Sequence, residues 1–249
     1  MTDNIVIIMA GGLGKRMNSD IPKVLHKIHE IPMICHLIKT AREINPKKIL
    51  IVVGNYKSII ESTILNYTHL NNIEFVYQSC ALGTGHAILC CLNNILNENC
   101  RVLILSGDTP FVSSDTMHNM LKSDAIIMTT EYTEDCNIFC DYGKIIEKDN
   151  NLNKIIEKKD CNLDELLIKK VNCGIYSFSS KLLCKYIPLI TNNNSQKEYY
   201  LTDVIEIIKT NENINIDMYN LSQTQQYEII GVNTKEQLEE LSKLVIFNK

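Results

Sequence analysis

A short turn near the N-terminus concentrates glycines and cations. Three of the four residues from Gly11 to Gly14 are glycine, and Lys15, Arg16 and Lys23 follow them. Glycine lets the backbone approach a ligand closely, and the amide groups of such a turn can bind an anion. Lysine and arginine side chains add positive charge. The turn therefore predicts a phosphate site, unless it is a plain glycine-rich turn with incidental cations.

Two well-known phosphate loops do not fit this turn. A Walker loop requires serine or threonine after its lysine, but Arg16 follows Lys15. A dinucleotide fingerprint that starts at Gly12 needs a third glycine where the chain has Met17. The turn alone does not say which anion it binds.

The elements that position this turn alternate regularly over the first 130 residues. Short, mostly apolar runs of four to six residues are typical of strands buried in a parallel sheet, and apolar residues at helical spacing lie between them. The predicted strands are Asn4–Met9, Ile49–Val53, Ile73–Tyr77, Val102–Leu105 and Ala125–Thr130. The predicted helices are Met33–Ala41, Lys57–Leu65, Gly85–Leu96 and Ser113–Leu121. This order predicts an α/β fold with a doubly wound, mostly parallel sheet.

The pattern changes after Thr130. Two I-I-E stretches on either side of an Asn-rich turn indicate a hairpin, Lys144–Glu147 with Lys154–Glu157. A strand over Val171–Phe178, helices over Ser180–Tyr186 and Leu201–Lys209, and a helix from Thr234 onward follow. Asn233 is a plausible cap of that last helix, whose apolar face carries Leu238, Leu241, Leu244 and Val245. We expect one domain over 1–249: a nucleotide-binding part (1–130), a smaller β-rich lobe (131–232) and a C-terminal helix (233–249).

Composition excludes several classes of protein. The 249 residues carry a formal net charge of -4, which argues against general nucleic-acid binding. No apolar run approaches the roughly 20 residues that cross a bilayer, and the first strand is too short for a signal peptide. We therefore expect a cytoplasmic protein with neither a nucleic-acid nor a membrane partner. The ten cysteines are scattered as small buried hydrophobes usually are, with Cys136 and Cys140 as a weak zinc alternative.

Eight stretches in a fixed order carry a family resemblance over nearly the whole chain. The chain resembles the uridylyltransferase domain of the N-acetylglucosamine-1-phosphate uridylyltransferases, which are sugar nucleotidyltransferases of the Rossmann-like, nucleotide-diphospho-sugar transferase type. The stretches are AGGLGKRM with PKVL, QSCALGTGHA, LSGDTP, DYGKI, IIEKKD, VNCGIY, QKEYYLTD and GVNTKEQL.

The resemblance implies transfer of UMP from UTP to N-acetylglucosamine-1-phosphate, giving UDP-N-acetylglucosamine and pyrophosphate. It assigns catalytic roles to Arg16, Lys23 and Asp108, and reading of the uracil edge to Gln78 with Gly83 and Thr84. The nucleotide-binding residues that it implies are Met9, Ala10, Gly11, Gly12, Gly14, Lys23, Gln78, Gly83 and Thr84. The attacking phosphate is already an anion, so the chemistry needs cations and backbone donors and no general base.

The resemblance also implies a Mg²⁺ cofactor bound by Asp108 and Asn233, and a sugar site. The sugar-binding residues are Gly143, Glu157, Asn172, Tyr200 and Thr202. Taken singly, most of these have ordinary alternatives: a turn aspartate, a helix cap, the solvent face of a hairpin or a core aromatic. We assign His86 no role beyond the first turn of its helix.

Some positions depart from the family pattern. Lys15 replaces threonine, Ala81 replaces a glutamine near the uracil, Cys173 replaces threonine and Lys197 replaces glycine. The alternatives are a relative that uses another sugar phosphate, such as glucose-1-phosphate, or another nucleotide, and a non-catalytic protein that binds nucleotide-sugars. No hexapeptide repeat follows the last helix, so we expect no β-helix acetyltransferase domain and no trimerisation surface, while a homodimer is possible.

Overall fold

The computed structural model describes residues 3–12, 14–17, 19–133, 137–212 and 214–246, which form a nine-stranded sheet with helices on both faces. The strands are β1 (Asn4–Met9), β2 (Lys27–Ile28), β3 (Ile31–Pro32), β4 (Lys48–Val53), β5 (Ile73–Tyr77), β6 (Arg101–Ser106), β7 (Ala125–Glu131), β8 (Lys144–Lys148), β9 (Asn151–Ile156), β10 (Lys170–Ser179) and β11 (Asp217–Asn220). The helices are α1 (Met33–Glu43), α2 (Lys57–Tyr67), α3 (Thr84–Ile95), α4 (Ser114–Met120), α5 (Leu163–Leu166), α6 (Ser180–Tyr186), α7 (Asp203–Asn211) and α8 (Lys235–Ile246). Cys136 and the side chains of Lys15, Leu244 and Val245 lie outside the described residues.

The main sheet has the order β11-β7-β10-β6-β1-β4-β5. β1 lies parallel to β4 and β6, with Ile7 paired to Leu50 on one side and to Ile104 on the other. β5 continues this parallel set beside β4, and β11 lies parallel to β7. The prediction of a mostly parallel sheet is therefore confirmed.

One strand interrupts the parallel order. β10 lies antiparallel between β6 and β7, so the fourth and fifth predicted strands are not neighbours. Its irregular register between Asn172 and Tyr176 lets the N-terminal end of β10 also pair with β8, through Val171 and Lys144. The hairpin of β8 and β9 is thereby attached to the central sheet.

Both faces of the sheet are buried, as a doubly wound fold requires. In β1, Val6 and Ile8 lie in one apolar cluster with residues of α1, α2 and α4. Ile5 and Ile7, on the opposite side of the same strand, lie in a second cluster with residues of α3, α6 and α7. The continuous apolar run of β1 is therefore explained by helices packed above and below it.

Several elements were not predicted from the pattern. The small β2–β3 pair, the four-residue helix α5 and the edge strand β11 lie outside every predicted segment. The bounds also differ slightly: α7 begins at Asp203 and not at Leu201. The prediction of buried cysteines is confirmed only in part. Of the described cysteines, Cys35, Cys91, Cys100 and Cys173 are buried, Cys80 is exposed, and Cys90, Cys140, Cys161 and Cys184 are half-buried. Within the described ranges no helix has the length and apolar character needed to cross a membrane.

The predicted cap of α8 is wrong. The amide of Gln237 donates to Thr234 Oγ1 at 3.2 Å, and the Gln237 side chain accepts from the Thr234 amide at 3.2 Å. This reciprocal pair makes Thr234 the N-cap. The Asn233 side chain is therefore not used to cap the helix and points elsewhere.

Candidate active site

Three side chains from distant parts of the chain meet at the carboxyl edge of the sheet. The Lys23 ammonium is ion-paired to Asp108 Oδ2 and donates to Asn233 Oδ1 at 3.1 Å. Ser106, the last residue of β6, donates to Asp108 Oδ1 at 2.6 Å. We call Lys23, Asp108 and Asn233 the charged cluster. β6 and the segment before α8 thus place two side-chain oxygens, from Asp108 and Asn233, next to the Lys23 ammonium.

The charge on Asp108 is stabilised within the protein. Burial of this carboxyl favours its neutral form, but the Lys23 ammonium and the Ser106 hydroxyl stabilise the carboxylate. The net result is a pKa of Asp108 below its ordinary value. Asp108 is therefore an anion at neutral pH, with Lys23 as its counter-ion.

The glycine turn holds Lys23 in place. Gly14 has a φ of +57°, a conformation that suits glycine, and a Cβ at this position would lie 2.7 Å from Lys23 Cβ. The absence of a side chain at Gly14 thus allows the turn to pack directly on the lysine. Gly14 supports the charged cluster by contact with Lys23.

A first cleft, of about 290 Å³, runs from the glycine turn to the loop before α3. We call it the nucleotide cleft. The residues that the sequence predicted for nucleotide binding and that line this cleft are Met9, Ala10, Gly11, Gly12, Lys23, Gln78, Gly83 and Thr84. Val24, Ala81, Ala87 and Glu198 also contribute to its wall.

The far wall of the nucleotide cleft is held by backbone contacts. Gly83 has a φ of +111°, and a Cβ there would lie 2.6 Å from the Tyr199 carbonyl oxygen. The Gly85 amide donates to that same oxygen at 2.7 Å, and the Leu201 amide donates to Thr84 Oγ1 at 3.0 Å. The loop before α3 is therefore fixed against the segment that precedes α7.

Gln78 follows β5 and is almost fully buried. Its Nε2 donates to the Gly83 carbonyl oxygen at 3.2 Å and to His86 Nδ1 at 3.0 Å. Sequence reasoning gave His86 no role, because nothing in the pattern pairs the first turn of a helix with the preceding strand end. The structure makes His86 a direct partner of a cleft residue.

A second cleft, of about 240 Å³, opens on the other side of the charged cluster. We call it the acceptor cleft. Of the residues predicted for sugar binding, Gly143, Glu157 and Asn172 line it, together with both predicted metal ligands, Asp108 and Asn233. Met9, Thr84, Ser106 and Asp108 line both clefts, so the two meet at the charged cluster.

Polar groups of the acceptor cleft are held by hydrogen bonds. Thr202 Oγ1 donates to Glu157 Oε1 at 3.0 Å, and Asn172 Nδ2 donates to the Tyr176 hydroxyl at 2.6 Å. Burial raises the pKa of Glu157, although the Thr202 hydrogen bond partly opposes that change. Gly143 joins this cleft because its carbonyl oxygen accepts from the Asn172 amide at 2.9 Å.

Four predicted residues line neither cleft: Gly14, Arg16, Tyr200 and Thr202. Gly14 lies beside Lys23 instead. Thr202 is linked to the acceptor cleft indirectly, through its hydrogen bond to Glu157. Tyr200 is buried, and its hydroxyl accepts from Gln196 Nε2 at 2.8 Å. Arg16 is exposed. The hydrogen bond from Lys158 is the main cause of a lowered pKa of Asp141 in the acceptor cleft, and the positive charge of Arg16 makes a smaller contribution.

The charged cluster suits a hard cation. Magnesium prefers carboxylate and amide oxygens and usually retains several waters. Asp108 Oδ2 and Asn233 Oδ1 already point at one positive charge, that of Lys23. The described residues hold no group of three or more His, Cys, Asp or Glu side chains that could bind a metal. These two oxygens fit an ion that takes its remaining ligands from water or phosphate.

Comparison with known proteins finds several similar sequences. The MobA-like NTP transferase domain family matches residues 6–140. A probable UDP-N-acetylglucosamine pyrophosphorylase of Acanthamoeba polyphaga mimivirus is 43% identical over 239 residues, covering 94% of this chain and 93% of that protein.

Two further relatives extend the comparison. The bifunctional GlmU protein of Clostridium botulinum is 35% identical over 246 residues, which are 96% of this chain and 51% of that protein. The chain therefore spans about half the length of this bifunctional relative. A crystal structure of a UDP-glucose pyrophosphorylase with UDP-glucose superposes with a TM-score of 0.75 at 18% identity, covering all of both chains, and it shows a shared fold.

Proposed function

The chain belongs to the nucleotidyltransferases with a MobA-like NTP transferase domain, the family of the UDP-N-acetylglucosamine pyrophosphorylases, and we propose that it transfers UMP from UTP to N-acetylglucosamine-1-phosphate. The products are UDP-N-acetylglucosamine and pyrophosphate. Membership of this family by itself makes the protein a nucleotidyltransferase.

One observation carries this proposal: two separate clefts meet at a single charged cluster. The nucleotide cleft and the acceptor cleft share Asp108, with Lys23 beside it. A transferase that joins two phosphorylated substrates must bring two polyanions to one point and stabilise the charge there. A cluster of one cation and two oxygen ligands at the junction of two clefts is suited to that task.

The reaction requires little from protein acids and bases. A phosphate oxygen of the sugar phosphate forms a bond to the α-phosphorus of UTP, and the bond from that phosphorus to the bridging oxygen of pyrophosphate breaks. Because the attacking oxygen is already ionised, no side chain needs to remove a proton. The glycine-turn amides at Gly11 and Gly12 and the Lys23 ammonium bind the phosphates and offset their charge.

A magnesium ion fits this scheme, held by Asp108 and Asn233. When bound, it would supply Lewis-acid stabilisation of phosphoryl charge. Lys23 is ion-paired to the same carboxylate in the free protein, so the lysine and the metal have a common partner. The Lys23 ammonium, which offsets the charge of Asp108, would also contribute to binding the substrate phosphates.

The acceptor cleft supports a sugar substrate. Carboxylate and amide side chains at Glu157 and Asn172 can accept from and donate to sugar hydroxyl and acetamido groups. Thr202 orients Glu157 through its hydrogen bond. Tyr200, which is buried and lines neither cleft, has its hydroxyl bound to Gln196, and we assign it no direct contact with the sugar.

Pyrophosphate release by the purified protein with magnesium tests the proposal. UTP, GTP, CTP and dTTP are each paired with N-acetylglucosamine-1-phosphate and with glucose-1-phosphate. We expect the highest kcat/KM for UTP with N-acetylglucosamine-1-phosphate. A preference for glucose-1-phosphate would reassign the acceptor, and no release from any pair would contradict the proposal.

A further inference from the structure

His86 and Gln78, which both lie in the stretch QSCALGTGHA, form a contact that the sequence analysis did not predict. His86 lies in the first turn of α3, and its Nδ1 is 3.0 Å from Gln78 Nε2. The same Nε2 donates to the Gly83 carbonyl oxygen at 3.2 Å. Gln78 lines the nucleotide cleft, so this contact affects what the cleft offers to a ligand.

The direction of the Gln78 carboxamide follows from these partners. A carbonyl oxygen only accepts hydrogen bonds, so the side facing Gly83 must be the NH₂ group of Gln78. His86 Nδ1 must then accept the second hydrogen, and the neutral ring carries its own hydrogen on Nε2. Both hydrogens of the Gln78 amide are used within the protein. What Gln78 presents to the cleft is its oxygen alone.

That oxygen remains available to a ligand. In the described part of the chain no group donates to Gln78 Oε1. This atom is also not among the fully buried polar atoms that lack a partner, so it is not completely enclosed by the protein. It faces the glycine turn, 3.2 Å from where a Cβ on Gly11 would lie. The neighbouring Ala81 adds no polar side-chain atom to the cleft wall.

We propose that His86 is a positioning residue that sets the base preference of the nucleotide cleft by fixing the orientation of the Gln78 carboxamide, an inference that rests on the proposed uridylyl transfer. An oriented acceptor matches the N3–H of uracil. Cytosine presents a lone pair at N3, which would face the Gln78 oxygen with no hydrogen between them. A carboxamide free to rotate would accept either base, because it could offer NH₂ instead.

A double-mutant cycle tests this role. In His86→Leu the Gln78 amide loses one of its two anchors, and we expect the ratio of kcat/KM for UTP to that for CTP to fall about three- to tenfold. His86→Asn keeps an oxygen where Nδ1 accepts, so its ratio should stay within about twofold of the wild type. In a Gln78→Met background, His86→Leu should have no further effect on the ratio.

Each other result overturns the inference. The inference is contradicted if the ratio is unchanged in His86→Leu or if it falls in His86→Asn. It is also contradicted if His86→Leu lowers the ratio equally in the Gln78→Met background. The KM for the sugar phosphate should not change in any variant, since a general disturbance of the fold would move it. If His86→Leu fails to fold, His86→Met removes the same acceptor.

Binding separates this inference from the proposed function. The dissociation constants of UMP and CMP, measured by calorimetry for the same variants, need no catalysis. A wild-type preference for UMP that His86→Leu weakens, in a protein that releases no pyrophosphate, would retain the role of His86 and reject the reaction. Normal pyrophosphate release, together with a ratio of the UMP and CMP dissociation constants that His86→Leu leaves unchanged, would support the reaction and reject the role of His86.

Discussion

At the scale of single residues, the site depends on charges that neutralise each other. Asp108 is an acid kept ionised by Lys23 and Ser106, and Asn233 offers the amide oxygen beside it. Glu157, in the acceptor cleft, has a hydroxyl partner in Thr202, and burial raises its pKa. The two carboxylates are therefore prepared for different partners, a cation at Asp108 and hydrogen-bond donors at Glu157.

Replacing Asp108 by Asn tests the first of these roles. The variant keeps an acceptor for Lys23 but removes the charge that a metal ligand needs, so we expect kcat to fall about 100-fold or more. Secondary structure should be unchanged by circular dichroism, since Asp108 packs in no apolar cluster. Turnover equal to that of the wild type at saturating magnesium would contradict the metal assignment.

Replacing Glu157 by Ala tests the acceptor cleft. Hydrogen bonds to a charged group are worth about 1.5–3 kcal/mol, so the KM for N-acetylglucosamine-1-phosphate should rise roughly tenfold or more. The KM for UTP should change by no more than about twofold. Glu147→Ala is the matched control, because Glu147 lies on the same hairpin and forms an exposed ion pair with Lys170. Equal changes in both KM values would argue against a sugar contact.

At the scale of elements, the carboxyl ends of β1, β5 and β6 supply the nucleotide side, and the β8–β9 hairpin supplies the acceptor side. β10 joins the two, since it pairs with β6 and β7 and also with β8. α7 closes the acceptor side: Thr202 immediately precedes it and Asp203 is its first residue. The geometry of the acceptor cleft therefore depends on how the start of α7 packs.

Asp203 makes the start of α7 sensitive to pH. Burial, with the nearby charges of Glu206 and Asp160, raises the pKa of Asp203 to about 6 from 3.8. The folded state thus holds a proton that the unfolded state releases between these values. The free energy of unfolding should therefore rise as the pH falls from about 6 to about 4.

Asp203→Asn removes that dependence. At pH 8 we expect the variant to be more stable by about 0.5–1 kcal/mol, a modest gain because Asp203 is partly exposed and a carboxylate at a helix N-terminus is favourable. At pH 4 the difference should vanish. Urea unfolding at both pH values measures it. A loss of stability at pH 8 would mean that the helix-terminus contribution outweighs the cost of burial.

At the scale of the whole molecule, sequence reasoning recovered local structure better than long-range contacts. Asn4–Met9, Ile73–Tyr77 and Ser180–Tyr186 were predicted with the bounds that the structure gives them. Their apolar spacing is a local property, as is the glycine turn. The polar segment Asp217–Asn220 was missed, because it is a partly exposed edge strand without an apolar run.

The contacts that make the site could not be read from spacing. Lys23 is 85 residues from Asp108 and 210 residues from Asn233 along the chain. No local periodicity relates positions so far apart; only the family resemblance grouped them, and it did not predict their mutual ion pair. The place of β10 between β6 and β7 was missed for the same reason, since pairing order depends on the packing of the entire sheet.

The charged cluster should also limit how much the stability of the free protein depends on metal. Because Lys23 already neutralises Asp108, we expect magnesium to raise the wild-type melting temperature above its value in EDTA by less than it does in a variant without Lys23. In Lys23→Met the Asp108 carboxylate, whose side chain is 14% exposed, loses its counter-ion. Breaking such a pair costs about 3 kcal/mol, and each kcal/mol corresponds to about 2–4 °C for a chain of this size.

Magnesium should recover part of that loss in Lys23→Met, because the cation then binds where the ammonium was. Differential scanning fluorimetry of both proteins, with EDTA and with magnesium, measures the four melting temperatures to be compared. Lys27→Met is the control, since among the described residues the Lys27 ammonium is paired only with the exposed Glu30, at 3.8 Å. It should melt near the wild-type temperature in either buffer. A wild-type protein that magnesium stabilises more than it stabilises Lys23→Met, or a Lys23→Met variant that magnesium does not stabilise, would show that Lys23 and the metal do not share this position.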